Sequence, residues 1–572
     1  MSKTILIIGG YGVFGGKLAD ALSDDPAFDV IVAGRSLSSA ERFCEGKPCR
    51  PLLLDTAAPD LAATLAGARP FIVVDASGPF QARSDAPYRV AEAALACGAH
   101  YLDLSDDGAF TSGISVLNAT ATAKGLTVLS GVSSVPALSS AAVASLAEDL
   151  TEIDHIESVI LPGNRAPRGL SVVRAIVGQA GQPLPLWRAG RLVSATGWGE
   201  RRTITLDAPG ARPVRNRWAS LIGAPDLTLF PDHFHARSVT FRAGLDLKLM
   251  HGGLAFLSLP VRWGLIRSLS PLAPALKWMA DRLEPFGSST GGMRVSVSGV
   301  TMDGRPEQRD WTLIVRGGDG PSIPAIPAEI LCRRLAAGTV PPGARPCLGE
   351  FTLAEAEAAL ARLRTATART RQETPFIFEN ILGEAWSALP SEIRELHAIT
   401  HARRWTGRAR IERGTGLISR LAGAFAGFPP AGENVPVSVE MTRRGTKETW
   451  VRTFGARRFR SFLSPAGPPG SGRIQERFGL MRFRIGLQVR EGRLEYPVLS
   501  GSFLGIPWPA FLLPRSTTAE FVDPEGRACF SVRIDLPFGG HVVSYSGWLL
   551  PDDAHPRLSD AGPHLDASGR EA

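Results

Sequence analysis

Few folds accept the opening of this chain. Ile5-Leu-Ile-Ile8 is a short apolar run of the kind that forms a buried strand. It leads directly into Gly10-Tyr-Gly12-Val-Phe-Gly15, and Lys17-Leu-Ala-Asp-Ala-Leu22 then reads as a helix. In a strand-turn-helix of this spacing each glycine has a physical role. The first allows the tight turn, the second lets backbone approach a pyrophosphate, and the third lets helix and strand pack closely. The helix N-terminus adds free N–H groups and a partial positive charge. The chain holds 61 glycines, so the spacing alone says little. Its place between a strand and a helix favours a nucleotide cradle over a purely structural turn. Gly9, Gly10, Tyr11, Gly12, Val13, Phe14 and Gly15 are therefore the candidate phosphate-binding residues.

The following elements continue the alternation. Asp29-Val-Ile-Val-Ala-Gly34 reads as a second strand ending at Arg35 and Ser36. An acidic residue at that place would bind a ribose 2′-hydroxyl, whereas a guanidinium suits a 2′-phosphate, which favours NADP over NAD. An arginine stacked on the adenine is the competing reading. A helix from about Ser38 to Cys44 leads to a third strand, Arg50–Asp55, with Asp55 near the adenine edge. The helix Asp60–Ala66 and the strand Phe71–Asp75 come next. The small-residue turn Ala76, Ser77, Gly78 and Pro79 would then lie over the cofactor crevice. The helix Ala86–Cys97, the strand His100–Ser105 and the strand Leu126–Gly131 complete the series. Strand and helix alternating at this pitch predict a doubly wound parallel sheet of Rossmann type.

These residues resemble the saccharopine dehydrogenase-like (saccharopine reductase) NADP-binding family. The resemblance rests on Gly-Gly-Tyr-Gly-Val-Phe-Gly, Val-Ala-Gly-Arg-Ser, Ala-Ser-Gly-Pro-Phe and His-Tyr-Leu-Asp-Leu-Ser, and extends to the later Asp319-Gly-Pro-Ser-Ile-Pro-Ala-Ile-Pro-Ala-Glu329. It covers roughly residues 1–360. It implies an NADP-dependent oxidoreductase acting by hydride transfer, with Asp103 near the nicotinamide as the candidate catalytic residue. A carboxylate that caps the following helix or satisfies loop N–H groups is the alternative for Asp103. The charged set that recognises two amino-acid moieties in saccharopine reductases has no match here. An imine, a carbonyl and a lipid-like substrate therefore stay open.

The expected architecture is α/β: a Rossmann domain at 1–150, an inserted α+β substrate domain at 151–360, and a linker at 361–388. A mostly antiparallel β domain at 389–552 and a disordered polar tail at 553–572 follow. Leu360–Arg371 reads as polar and helical. Beyond it, runs such as Val435–Met441 and Phe530–Asp535 alternate as strands of a sheet or open barrel. The pieces Glu448–Gly455, Glu476–Gly479 and Val543–Leu549 resemble a bacterial domain of unknown function found after saccharopine dehydrogenase-like modules. A non-catalytic nucleotide binder, or a membrane-surface scaffold whose β domain binds an apolar ligand, is the competing function.

Composition narrows the partners. The formal net charge is +8, but the arginines are scattered, which excludes a nucleic-acid tract and leaves small anions or acidic lipid surfaces. Six cysteines without a C-x-x-C pair read as reduced thiols of a cytoplasmic protein. Leu249–Met279 is strongly apolar but broken by Arg262, Arg267, Lys277 and prolines. With Trp263 and Trp278 it fits a peripheral membrane contact or a greasy pocket, against ordinary buried helices. A small-molecule substrate and a second copy of the chain, as a homodimer, are the other partners considered. No metal site is expected. His397 and His401 stand four apart on a predicted helix, with Glu395 ahead of them, and read as a solvated face. His233 and His235, on a predicted strand, read as pocket or surface residues. No G-x-S-x-G elbow occurs, so a hydrolase lacks its nucleophile.

Overall fold

The computed structural model describes residues 2–82, 86–167, 169–425, 427–537 and 539–552; the expected tail, 553–572, lies outside the described residues. The opening alternation forms β1 (Lys3–Ile8), α1 (Val13–Ser23), β2 (Phe28–Gly34), α2 (Leu37–Cys44), β3 (Cys49–Leu53), α3 (Leu61–Ala68), β4 (Ile72–Asp75), α4 (Arg89–Ala96) and β5 (His100–Asp103). After two short helices, α5 (Gly108–Gly113) and α6 (Asn118–Ala123), come β6 (Thr127–Ser130) and α7 (Ser139–Ala147). The strands pair in parallel in the order β6-β5-β4-β1-β2-β3. A seventh strand, Gly343–Pro346, joins beside β6 from far down the chain. Buried parallel strands are covered on both faces and read as near-continuous apolar runs. Ile5 to Ile8 and Val30 to Ala33 show this, each residue almost wholly buried.

The second sheet is mixed. Its order is Arg202–Leu206, Val214–Leu221, Ser238–Gly244, β7 (Leu150–Leu161), Gly291–Thr301, Pro306–Val315 and Thr365–Glu373. Only Ser238–Gly244 runs parallel to β7; the other pairs are antiparallel. Alternation along β7 separates two environments. Ile156 belongs to the core shared with the first domain, whereas Val159 and Leu161 belong to a small core on the opposite face.

The return segment ties the first two units together. Gly320–Ala325 forms a 3₁₀ turn that packs on α1, and the helix Ile326–Ala336 follows. One correction concerns the expected linker. Residues 365–373 are not helical but form the edge strand of the second sheet, paired along the whole of Glu307–Val315. The helix before them, Leu353–Leu360, starts from a capping box made by Thr352 and Glu355.

From Ala402 onwards the chain forms one antiparallel sheet of thirteen strands with its own core around Trp405, Trp450, Phe454 and Val543. A charged junction holds it to the second sheet. Arg237 meets Glu152 and Asp154 at 2.7 Å each, and Arg403 reaches the same carboxylates at 3.1 and 3.4 Å. Beside them the rings of His155 and His401 stack at 3.5 Å. Burial pushes the pKa of both imidazoles down, so the stack is one of neutral rings.

Candidate cofactor site

The carboxyl ends of neighbouring parallel strands gather the residues that the sequence singles out. With β1 between β4 and β2, the chain leaves β1 toward β2 and β3, then returns to β4 on the other side. The crevice at such a switch point is where open α/β sheets bind ligands. Gly9–Gly15 follows β1, Arg35 and Ser36 follow β2, Asp55 lies just past β3, and Ala76–Pro79 follows β4. Gly12, Arg35, Asp55, Gly78 and Pro79 are all exposed there.

The glycine loop is built by close contacts. Gly9 carries the positive φ of the turn, +73°, so the turn conformation belongs to Gly9 rather than Gly10. A Cβ on Gly10 would stand 2.8 Å from the Ile7 carbonyl oxygen, and one on Gly15 would stand 2.4 Å from that of Gly9. A Cβ on Gly12 would meet only the Gly9 oxygen, at 3.0 Å, with open space beyond. Gly12 is the N-cap of α1 and offers no side-chain cap, and the first turn carries no acidic residue. The N–H groups of Val13, Phe14 and Gly15 have no acceptor among the described residues. Free donors, a helix dipole and open space in front of Gly12 are what a pyrophosphate requires.

Tyr11 shapes the neighbouring wall. Its ring covers Gly34, where a Cβ would come within 2.5 Å, and its hydroxyl accepts a hydrogen bond from Ser36 N–H at 3.1 Å. The Ser36 hydroxyl caps α2 by accepting from Ser39 N–H. Arg35 has no hydrogen-bond or ion-pair partner among the described residues, so its guanidinium stands free at the strand end. Asp55 Oδ1 accepts from Ala57 N–H at 3.0 Å and holds its own turn. Across the crevice Ser77 donates to Asp75 Oδ1 through both its N–H and its hydroxyl, at 2.9 and 2.6 Å.

Asp103 ends β5 and is wholly buried. Its Oδ1 accepts from Ser105 N–H, Ser130 Oγ and Gly131 N–H at 2.9 to 3.0 Å, while Oδ2 has no partner among the described residues. Burial pushes its pKa up to about 7, against the lowering effect of those hydrogen bonds. In this structure the carboxyl ties the loops after β5 and β6 together and does not reach the crevice surface. A second such carboxyl, which the sequence did not single out, stands where the first two units meet. Asp226 accepts from Ser139 Oγ of α7 at 3.1 Å and from Ser158 Oγ of β7 at 2.7 Å, and burial raises it too to about 7. Its partners lie 87 and 68 residues away, so no local pattern announces it.

The histidine expectations need correction. The helix Ser391–His397 ends before His401, so the two rings diverge. His397 is fully buried rather than solvated, facing Glu520 at 2.6 Å, and His401 lies on His155. His233 ends the helix Asp226–His233 and His235 lies beyond it, so neither is on a strand. Leu249–Met279 is likewise not ordinary buried helix. It forms Lys248–Leu257, Leu259–Arg262 and Ala273–Arg282, with Trp263 66% and Trp278 61% exposed beside exposed Leu249, Phe256, Leu265 and Phe286. No helix among the described residues is long and apolar enough to cross a membrane.

Two stretches of the chain match known families. Residues 5–129 match the family described as saccharopine dehydrogenase NADP binding domain, and residues 389–549 match a domain of unknown function, DUF4166. No curated protein sequence matches. Among solved structures, saccharopine dehydrogenase (L-Glu forming) from Saccharomyces cerevisiae is 15% identical with a TM-score of 0.47, over 65% of this chain and 100% of its own. A biliverdin reductase from Synechocystis sp. PCC 6803, in complex with biliverdin and NADP+, is 12% identical with a TM-score of 0.29, over 63% and 95%. The chain thus joins a stretch similar to the saccharopine dehydrogenase NADP binding domain, through a mixed-sheet unit, to a stretch similar to DUF4166.

Proposed function

We propose that this chain is an NADPH-dependent oxidoreductase that acts on an apolar carbonyl or imine. The observation that carries the reading is the open cradle in front of Gly12, with the unpaired guanidinium of Arg35 beside it. Val13, Phe14 and Gly15 N–H groups would hold the pyrophosphate, and Arg35 with Ser36 would hold the 2′-phosphate. When bound, the nicotinamide supplies the hydride. The residues of the chain bind, orient and exclude water. Asp103 acts as a positioning residue, fixing Ser105, Ser130 and Gly131 around the crevice floor.

The apolar character of the substrate is supported by the helical segment 248–286. Five cationic residues and two carboxylates accompany its exposed aromatic and aliphatic side chains. Such a surface suits the interface of an anionic membrane, with the tryptophans at headgroup level. A lipid-like substrate would be taken up there. The test is NADPH oxidation by the full chain, followed at 340 nm, with membrane lipid extract in vesicles and with a water-soluble panel of amino-acid imines. Consumption with the extract supports the proposal. Consumption only with amino-acid imines contradicts the lipid part, and none with either contradicts the enzyme reading.

A further inference from the structure

The C-terminal sheet lines a partly open cavity of about 160 Å³. Strands far apart in the chain supply its walls, among them Lys447–Phe454, Ala528–Leu536 and Gly540–Pro551. Its lining is largely apolar, with aliphatic and aromatic side chains interleaved. Phe454 packs edge-on against Tyr545 at 5.3 Å and against Phe530 at 6.5 Å. A cavity of roughly 150 Å³ lined by apolar side chains holds one benzene-sized molecule. The available space therefore fits a single ring.

The charged groups of the wall are few and already hold partners. Arg452 lies over the Trp450 ring at 4.7 Å, donates to Ser461 Oγ at 2.8 Å and pairs with Glu476 at 3.4 Å. Glu520 Oε2 accepts from the Tyr496 hydroxyl at 2.7 Å and faces His397 Nε2 at 2.6 Å. A ligand carboxylate would find no free cation and would stand beside Glu476. A ligand ammonium would have to displace Arg452 from Glu476, or the Tyr496 hydroxyl from Glu520. Unbalanced charge at so little exposure is costly, so the cavity selects against ions. The Tyr545 hydroxyl is the open polar position. Tyr545 is 9% exposed, lines the cavity, and its hydroxyl has no hydrogen-bond partner among the described residues. Burial pushes its pKa up to about 12, so it stays a neutral donor and acceptor.

We propose that this cavity is a binding site, separate from the nucleotide crevice, for an uncharged single-ring molecule bearing one hydroxyl that pairs with Tyr545. The aromatic side chains of the wall, Phe454, Phe530 and Tyr545 among them, offer offset and edge contacts to the ring. The Tyr545 hydroxyl gives orientation, as a few placed polar groups do in apolar pockets. This inference is independent of the oxidoreductase reading.

The test is calorimetric titration of the full chain with 4-methylphenol, toluene and 4-methylbenzoate, with and without saturating NADPH. The expected result is saturable one-to-one binding of 4-methylphenol, unchanged by NADPH, with 4-methylbenzoate weaker by at least about tenfold. Tyr545→Phe removes only the hydroxyl. It should weaken 4-methylphenol by roughly two- to tenfold, the worth of one hydrogen bond, and leave toluene unchanged. Val532→Trp fills the cavity and should abolish binding of both; its melting curve, set beside that of Tyr545→Phe, shows whether it folds. Should Val532→Trp fail to fold, the Tyr545→Phe comparison decides alone. No saturable 4-methylphenol binding, equal binding of the benzoate, competition with NADPH, or indifference to Tyr545→Phe would each overturn the inference.

Discussion

A valine at position 12 would fill the open space in front of α1, while the backbone there already has an ordinary φ of −77°. Gly12→Val should therefore keep the fold and lose nucleotide binding by at least about tenfold. Gly15→Ala is a different case, because its Cβ would press on the Gly9 carbonyl oxygen at 2.4 Å. The loop must shift, at a cost of about 1–3 kcal/mol in stability. Nucleotide titration beside melting curves separates the two. A Gly12→Val protein that binds normally would place the pyrophosphate elsewhere. Asp103 supplies a pH test at the same scale. The folded carboxyl titrates near 7, chiefly through burial, whereas the unfolded one titrates near its ordinary value, about 3.9. The folded state thus holds the proton between these limits. The stability it contributes is whole below the lower limit and is lost as pH rises through the upper one. Asp103→Asn abolishes that titration. The melting temperature of the variant relative to the native chain should rise between pH 5 and pH 8, and a constant difference would contradict the buried, proton-holding carboxyl.

Among the elements, the parallel strands were legible because burial on both faces leaves an unbroken apolar run, as at Ile5–Ile8 and Ile72–Val74. Other elements depended on partners distant in sequence. Gly343–Pro346 is four residues long with no apolar run, and it is a strand only because β6 lies beside it. Thr365–Glu373 is polar and arginine-rich, yet edge pairing with Pro306–Val315 outweighs its helical look, and Arg371 closes on buried Glu307 at 2.7 Å. The site was legible in the same measure. The glycine loop and Arg35 are local signals, whereas Asp226 with Ser139 and Ser158 exists only once two domains meet. The segment 248–286 carries its own prediction. Arg262 and Arg267 are exposed, so Arg262→Glu with Arg267→Glu should leave the core untouched. Each lost contact is worth about 1 kcal/mol at an anionic surface, and reversal adds repulsion. Co-sedimentation with phosphatidylserine vesicles at low salt should fall by more than about tenfold while the melting temperature holds. A native chain that never sediments with such vesicles would contradict the membrane contact.

Across the whole molecule, the three units are joined by unlike means. The first two share one apolar core and the returning helix Ile326–Ala336, while the third is held by a compact ionic junction. Arg403 is nearly buried there between Glu152 and Asp154, and Thr400 also donates to Asp154. The guanidiniums of Arg403 and Arg237 hold both carboxyls below their ordinary range against the raising effect of burial. Removing one partner of a buried ion pair typically costs about 3–5 kcal/mol, since the remaining charge loses its compensation. Arg403→Ala should therefore melt the C-terminal unit earlier, as a separate shoulder in scanning calorimetry, and leave nucleotide affinity unchanged. A single unshifted transition would mean that the junction contributes little.

The central claim is that the crevice between β1, β2 and β4 takes NADPH and that Arg35 reads its 2′-phosphate. It is tested most directly by titrating the full chain with NADPH and NADH, before and after Arg35→Ala. A charge-assisted contact of this kind is worth about 1.4 kcal/mol or more, so NADPH should bind the native chain at least about tenfold tighter. Arg35→Ala should remove most of that difference by weakening NADPH alone. Equal affinity of the native chain for both nucleotides, or a preference that survives Arg35→Ala, would contradict the account.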